Sequence, residues 1–332
     1  MTCNHKHPRF LEASLYACVI SFCFVFNLYL LVPKQVTNLP RSDVRQIKWR
    51  IFSVVLTIML AIATYPYLFC ENEAIFWSSG FDAIKNMLGW RSIDRATFVP
   101  LLHVVILYFG SFVTSIMQHR LVYMIKRDSH ENYPEENFFR FISRRVIYTN
   151  KQRFSNRWQA SRDFVVAPLA EEIIFRACII PPFLLSGKIS VVAICWLAPL
   201  FFGVAHAHHA VTKIRNGAPL KAVLFSTLFQ LLYTTLFGAY ESYCFIKIGS
   251  LPALVMVHSF CNFIGLPDVS LLFGTIKGNG NERVMKSVKI YRFLSGIAYV
   301  FGIVFFWLCF GNKTISLFPK GYLLHQRLVI NT

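Results

Sequence analysis

The sequence predicts an all-α fold: a polytopic transmembrane helix bundle of about eight membrane segments. Three observations predict it. Of the 332 residues, 55% are hydrophobic and only 15% charged, whereas a soluble domain carries about 25% charged residues. The charges are gathered between long apolar runs rather than spread through them. Several of those runs approach the roughly 20 residues that a helix needs to cross the hydrocarbon layer.

Taken in order, the runs are Ala13–Val32, Ile51–Cys70, Ala96–Met117, Val191–Ala205, Ala222–Tyr240, Leu251–Leu266 and Phe293–Phe310. Phe164–Leu185 makes an eighth if its three charges are tolerated. Val191–Ala205 and Leu251–Leu266 are short, so a tilted, re-entrant or bundle-buried course is expected for them. The first run is too long for a signal-peptide core and is followed by Pro33, Lys34 and Gln35, not by a small-residue cleavage site, so it reads as a first membrane helix. The organisation expected is N-terminal membrane helices over 1–120, a basic cytosolic or interfacial segment over 121–162, a catalytic core over 163–268 and a C-terminal loop, helix and tail over 269–332.

A net charge of +18 invites a nucleic-acid reading, and its distribution argues against one. About two-thirds of the lysines and arginines fall in segments 34–50, 119–163, 206–221 and 267–292, which the positive-inside rule assigns to the cytosol. Both termini then lie on the far side. The basic loop with Arg140, Arg144, Arg145, Lys151, Arg153, Arg157 and Arg162 is expected to meet anionic lipid headgroups. The nine cysteines are scattered without a CxxC pair, which indicates neither a zinc cluster nor a disulfide framework. Asn312-Lys313-Thr314 matches a glycosylation sequon, but its closeness to the last span argues against use.

Polar residues in the apolar runs are the candidate chemistry, because an ionisable group at bilayer depth costs about 2.5–3.5 kcal/mol on insertion scales. Glu171, Glu172 and Arg176 stand together in one such run. Glu172 and Arg176 are i and i+4 and can pair on one helical face. Glu171 is rotated about 100° away and has no basic residue at i±3 or i±4, which leaves it to act as a general base. A purely structural charge cluster is the alternative. Phe202 and His206 end the next polar-bearing run, with His208 and His209 beyond. Histidine is also a common zinc ligand, although no HExxH occurs. His258 and Asn262 are again i and i+4; together they could bind a developing oxyanion or serve as hydrogen-bonding glue between helices.

EExxxR at Glu171–Arg176, FxxxH at Phe202–His206 and HxxxN at His258–Asn262 resemble the three motifs of the CAAX protease and bacteriocin-processing family. The flanking residues Arg162–Leu169 and Arg176-Ala177-Cys178, with Leu88-Gly89-Trp90-Arg91, are similar to its type II CAAX prenyl endopeptidase branch. The resemblance implies an intramembrane endopeptidase that removes the terminal aaX tripeptide from farnesylated or geranylgeranylated CAAX proteins, Ras-type small GTPases among them. It implies a multi-pass protein of the endoplasmic reticulum membrane with its active site open to the cytosol. It implies that Glu171 and His206 activate water, that His258 and Asn262 hold the oxyanion, and that Glu172, Arg176 and Phe202 support them. It implies no cofactor and no metal.

Rival readings remain. A cysteine peptidase would use Cys261 beside His258, and a zinc peptidase His206, His209, His258 and Glu171. A transporter or proton relay also buries Glu and His. A non-catalytic membrane scaffold that binds prenylated proteins would tolerate Glu171→Gln.

Overall fold

The computed structural model describes residues 5–90, 92–128, 153–154, 156–205, 208–215, 217–274 and 282–311. The main helices are α1 (Phe10–Leu30), α2 (Val44–Phe69), α3 (Val99–Leu107), α4 (Phe109–Asp128), α5 (Ala167–Glu172), α6 (Val191–Ala205), α7 (Leu220–Ile248), α8 (Leu251–Ile264) and α9 (Glu282–Gly311). Among the described residues, four helices are long and apolar enough to cross a membrane: Phe10–Leu30, Val44–Phe69, Leu220–Ile248 and Glu282–Cys309. A fifth candidate is Arg95–Leu107 with Phe109–Lys126, bent by 47°. The other expected segments are the shorter apolar helices α6 and α8 and the stretch of short turns around α5. The bundle exposes many large apolar side chains, such as Phe22, Phe225 and Phe293. An outward apolar surface of this kind suits lipid rather than water.

The chain divides into two compact units. The first comprises Met1–Thr97 and Trp158–Met256, the second Phe98–Arg157 and Val257–Phe318. In the first unit, α1 begins where Glu12 reaches back to accept from the Arg9 amide at 2.9 Å, and α2 begins where Asp43 accepts from the Arg45 amide at 2.9 Å. Such acceptors satisfy donors that a helix start leaves orphaned. The two helices run antiparallel. Tyr16 meets Phe69 with ring centroids 5.0 Å apart, Asn27 donates to Thr57 at 2.9 Å, and the Arg50 guanidinium lies 6.0 Å from the Tyr29 ring. The segment around α5 runs parallel to α2. Arg162 near its start donates to the Arg41 carbonyl at 2.8 Å, and Cys178 near its end lies beside Tyr65 and Tyr16.

Beyond α5, α6 packs along α7. Gly238 makes the close approach possible, because a Cβ there would stand 2.7 Å from the Pro199 Cβ. Small residues bring membrane helices together in this way. Where α7 passes into α8, the Leu251 amide donates to the Gly89 carbonyl at 2.9 Å. Gly89 has a φ of +67°, and a Cβ on it would lie 2.9 Å from the Gly249 oxygen, so only glycine suits that position. This gives the Leu88-Gly89-Trp90 stretch a packing role.

Cys70 is disulfide-bonded, a bond that the scattered cysteines and the missing CxxC pair did not indicate. Spacing along the sequence carries no trace of a bond that depends on which residues folding brings together. Seven other cysteines are free; the ninth, Cys3, lies outside the described residues.

In the second unit, α9 packs on α3 and α4 at glycines. A Cβ on Gly302 would stand 2.9 Å from the Ile106 oxygen, and one on Gly110 would stand 2.7 Å from the Tyr299 Cα. Leu121, Leu271, Val284 and Val288 form a buried cluster, with Met117, Met124 and Tyr291 packed against it. Tyr299 donates to the Asp268 carbonyl at 2.7 Å.

Candidate active site

The EExxxR motif sits in an irregular helix. Residues Arg162–Val166 form a π-helical turn, Ala167–Glu172 an α-helical one, and Ile173–Cys178 a second π-helical turn. π-turns widen the helix and occur often at functional sites. From Ile173 to Ser186 every residue is buried, so the motif is anchored on its C-terminal side by an apolar core.

Arg176 is the hub. Its Nη1 is 3.1 Å from Glu172 Oε1, the i,i+4 pair that the spacing predicts, and its Nη2 is 2.7 Å from Glu241 Oε2. All three side chains are at most 1% exposed. The guanidinium carbon also lies 4.9 Å from the Phe202 ring centre. Phe202 in turn meets Phe175 edge-on, with centroids 5.1 Å apart. The phenylalanine of FxxxH is therefore the surface on which the arginine of EExxxR rests, a cation–π contact. A Cβ at Gly238 would stand 3.2 Å from Arg176 Nη2. One helical turn of α7 thus supplies both the room for the guanidinium, at Gly238, and its second carboxylate, at Glu241.

Glu171 differs from its neighbour. Glu172 is fully buried, whereas Glu171 is half-buried. The rotation between adjacent helical positions points the first carboxylate away from the Arg176 hub. His206, one turn beyond Phe202, lies outside the described residues, as do the side chains of His208 and His209.

The second unit holds the HxxxN motif. His258 is buried and Asn262 half-buried on α8. The end of this helix is fastened from two sides. Arg153 Nη1 donates to the Asn262 carbonyl at 3.0 Å, and the Tyr108 hydroxyl donates to the Gly265 carbonyl at 2.6 Å. Tyr108 also packs against Phe260, and Phe154 against Phe263. Fixed carbonyls hold the last turn in place, which holds the side chains one and two turns earlier. Arg153 was expected among the lipid-facing basic residues; here its side chain fastens α8.

Glu241 is the residue that the sequence reading missed. The signal was present, a carboxylate one position beyond the apolar run read as ending at Tyr240. It passed for the polar edge of a span.

The fold and site define a class: a multi-pass helical membrane protein with a buried carboxylate–guanidinium core beneath a half-buried glutamate. The comparisons narrow it. The family model described as type II CAAX prenyl endopeptidase, Rce1-like, matches residues 153–264, which enclose all three motifs. A human protein, "CAAX prenyl protease 2", is 42% identical over 260 residues, covering 77% of this chain and 71% of its own. One of the same name from Arabidopsis thaliana is 31% identical over 79% of this chain and 82% of its own. One from Saccharomyces cerevisiae is 33% identical over 46% of this chain and 50% of its own. No solved structure matches the chain. The chain belongs to the Rce1-like family of type II CAAX prenyl endopeptidases.

Proposed function

We propose that the protein is an intramembrane endopeptidase that removes the aaX tripeptide from farnesylated or geranylgeranylated CAAX proteins, Ras-type small GTPases among them. The observation that carries this reading is the family match over 153–264, which spans EExxxR, FxxxH and HxxxN together. In the mechanism, Glu171 takes a proton from water, and His206 orients that water. The hydroxide attacks the carbonyl of the prenylated cysteine. His258 and Asn262 donate to the oxygen as it gains charge. Collapse breaks the peptide bond, and the proton held by Glu171 passes to the leaving amine. Glu172, Arg176 and Phe202 set the position of Glu171. No metal or cofactor enters the scheme.

The protein would work in the endoplasmic reticulum membrane with its site open to the cytosol, alongside membrane lipid. Two features support that orientation. The Cys70 disulfide suits an oxidising lumen, and it lies at the opposite end of α2 from Arg45, Lys48 and Arg50, which suit the cytosolic face.

The test is release of tripeptide from a farnesylated CAAX peptide by membranes carrying the protein. Wild type and Glu171→Gln are compared with and without a chelator. Chelator-resistant cleavage, lowered at least about a hundredfold in Glu171→Gln, is expected for a lost general base. Cleavage that survives the substitution removes Glu171 from its role, and cleavage abolished by chelator turns the mechanism to zinc.

A further inference from the structure

Three arginines gather at one end of the motif segment and have no part in the chemistry above. Arg162 donates from Nη1 to the Arg41 carbonyl at 2.8 Å and from Nε to Asp163 at 2.7 Å. Arg50, in the second turn of α2, faces the same place, and the charged groups acting on it are Arg41 and Arg162. Among the described residues, the carboxylate in this group is Asp163, which already accepts from Arg162. The Arg50 Nε is buried without a hydrogen-bond partner. Like charges held together at low dielectric repel, and a buried donor left unused costs free energy. An anion with two oxygens relieves both, because the guanidinium fork matches a carboxylate.

The spacing says which anion. Nine positions of helix separate Arg162 from Glu171, at most about 13 Å of axis because the π-helical turn at Arg162–Val166 rises less per residue. The parallel α2 gives the same scale, since Arg50 stands level with Arg162 and Tyr65 with Cys178. Three extended residues reach about 10 Å. A tripeptide with its scissile bond at Glu171 therefore carries its terminal carboxylate to the arginines, whose long stems cover the remainder. We propose that Arg41, Arg50 and Arg162 form the subsite for the C-terminal carboxylate of the substrate, and that their distance from Glu171 is the ruler that makes the product a tripeptide. This rests on the peptidase reading above. A lipid phosphate would satisfy the same charges; the match of the tripeptide's length to the distance from Glu171 favours the peptide carboxylate.

The experiment uses the full chain in neutral detergent micelles with two farnesylated CAAX peptides, one ending in a free carboxylate and one amidated. Wild type should favour the free acid about tenfold in kcat/KM, the worth of one charge-assisted contact. Arg50→Gln should bring that ratio close to one, chiefly through KM, and Arg50→Lys should retain most of it. If Arg50→Gln slows both peptides by the same factor, or wild type does not distinguish them, the subsite is overturned. If Arg50→Gln has an effect only in vesicles containing phosphatidylserine, the cluster is a lipid site and the proposal fails. In each of these cases wild type still cleaves. Wild type that cleaves neither peptide would remove the peptidase reading itself, and the subsite with it.

Discussion

Arg176 shows how one residue can organise a motif. Its side chain is buried with Glu172 at 3.1 Å, Glu241 at 2.7 Å and the Phe202 ring beneath it. Removing one partner of a buried ion pair costs about 3–5 kcal/mol, because the remaining charge keeps its desolvation penalty. Glu241→Ala should therefore lower thermal stability in detergent by a few kcal/mol and lower peptidase activity. Glu241→Gln, which keeps the shape and an acceptor oxygen, should be milder on both, and a melt with the cleavage assay checks the order. Equal behaviour of the two variants would mean that Glu241 fills space rather than holding Arg176. The Glu172 pair was legible in the sequence because the helix repeat brings i and i+4 together. The Glu241 contact was not, since the two residues lie 65 positions apart and only packing of α7 against the motif segment brings them together.

At the scale of elements, the close contact of α6 with α7 rests on Gly238. Gly238→Leu must displace the Pro199 ring and crowd the Arg176 guanidinium. Overpacking a well-filled contact costs about 1–3 kcal/mol, so loss of folded yield and a lowered melting temperature are expected. Gly187→Ala is the control for any glycine loss, since nothing stands within 4 Å of that position, though its φ of +60° carries a strain of its own. The N-terminal segment makes a second element-scale prediction. His5 bridges Cys70, and the Lys6 amide donates to the Phe69 carbonyl at 2.9 Å. Burial pushes the His5 imidazole below its ordinary range, against the Phe69 carbonyl, which pulls the other way. A depressed folded value means that protonation favours the open state. The stability that His5 lends is full above the ordinary imidazole pKa of about 6.5 and is lost as pH falls through the lower folded value. Hydrogen exchange at the Lys6 amide should thus lose protection as pH falls below about 6.5, beyond the intrinsic rate change, and His5→Phe should flatten that dependence.

At the scale of the whole molecule, apolar runs and their charge bias gave the fold class and a candidate membrane orientation. The hydrophobic effect and the cost of burying charge act on composition alone, so they leave their trace in a linear string. The same holds for the motifs, whose internal spacing is a helical repeat. Tertiary structure decided what depends on distant residues meeting: the disulfide at Cys70, Phe202 beneath Arg176, the use of Arg153 to fasten α8, and the bond from Arg162 to the Arg41 carbonyl. Those contacts join residues tens to more than a hundred positions apart, and no local period records them. Sequence by itself determined that a glutamate is left over beside an ion pair in an oily helix; only the packed bundle decided what holds that pair, and what surrounds it.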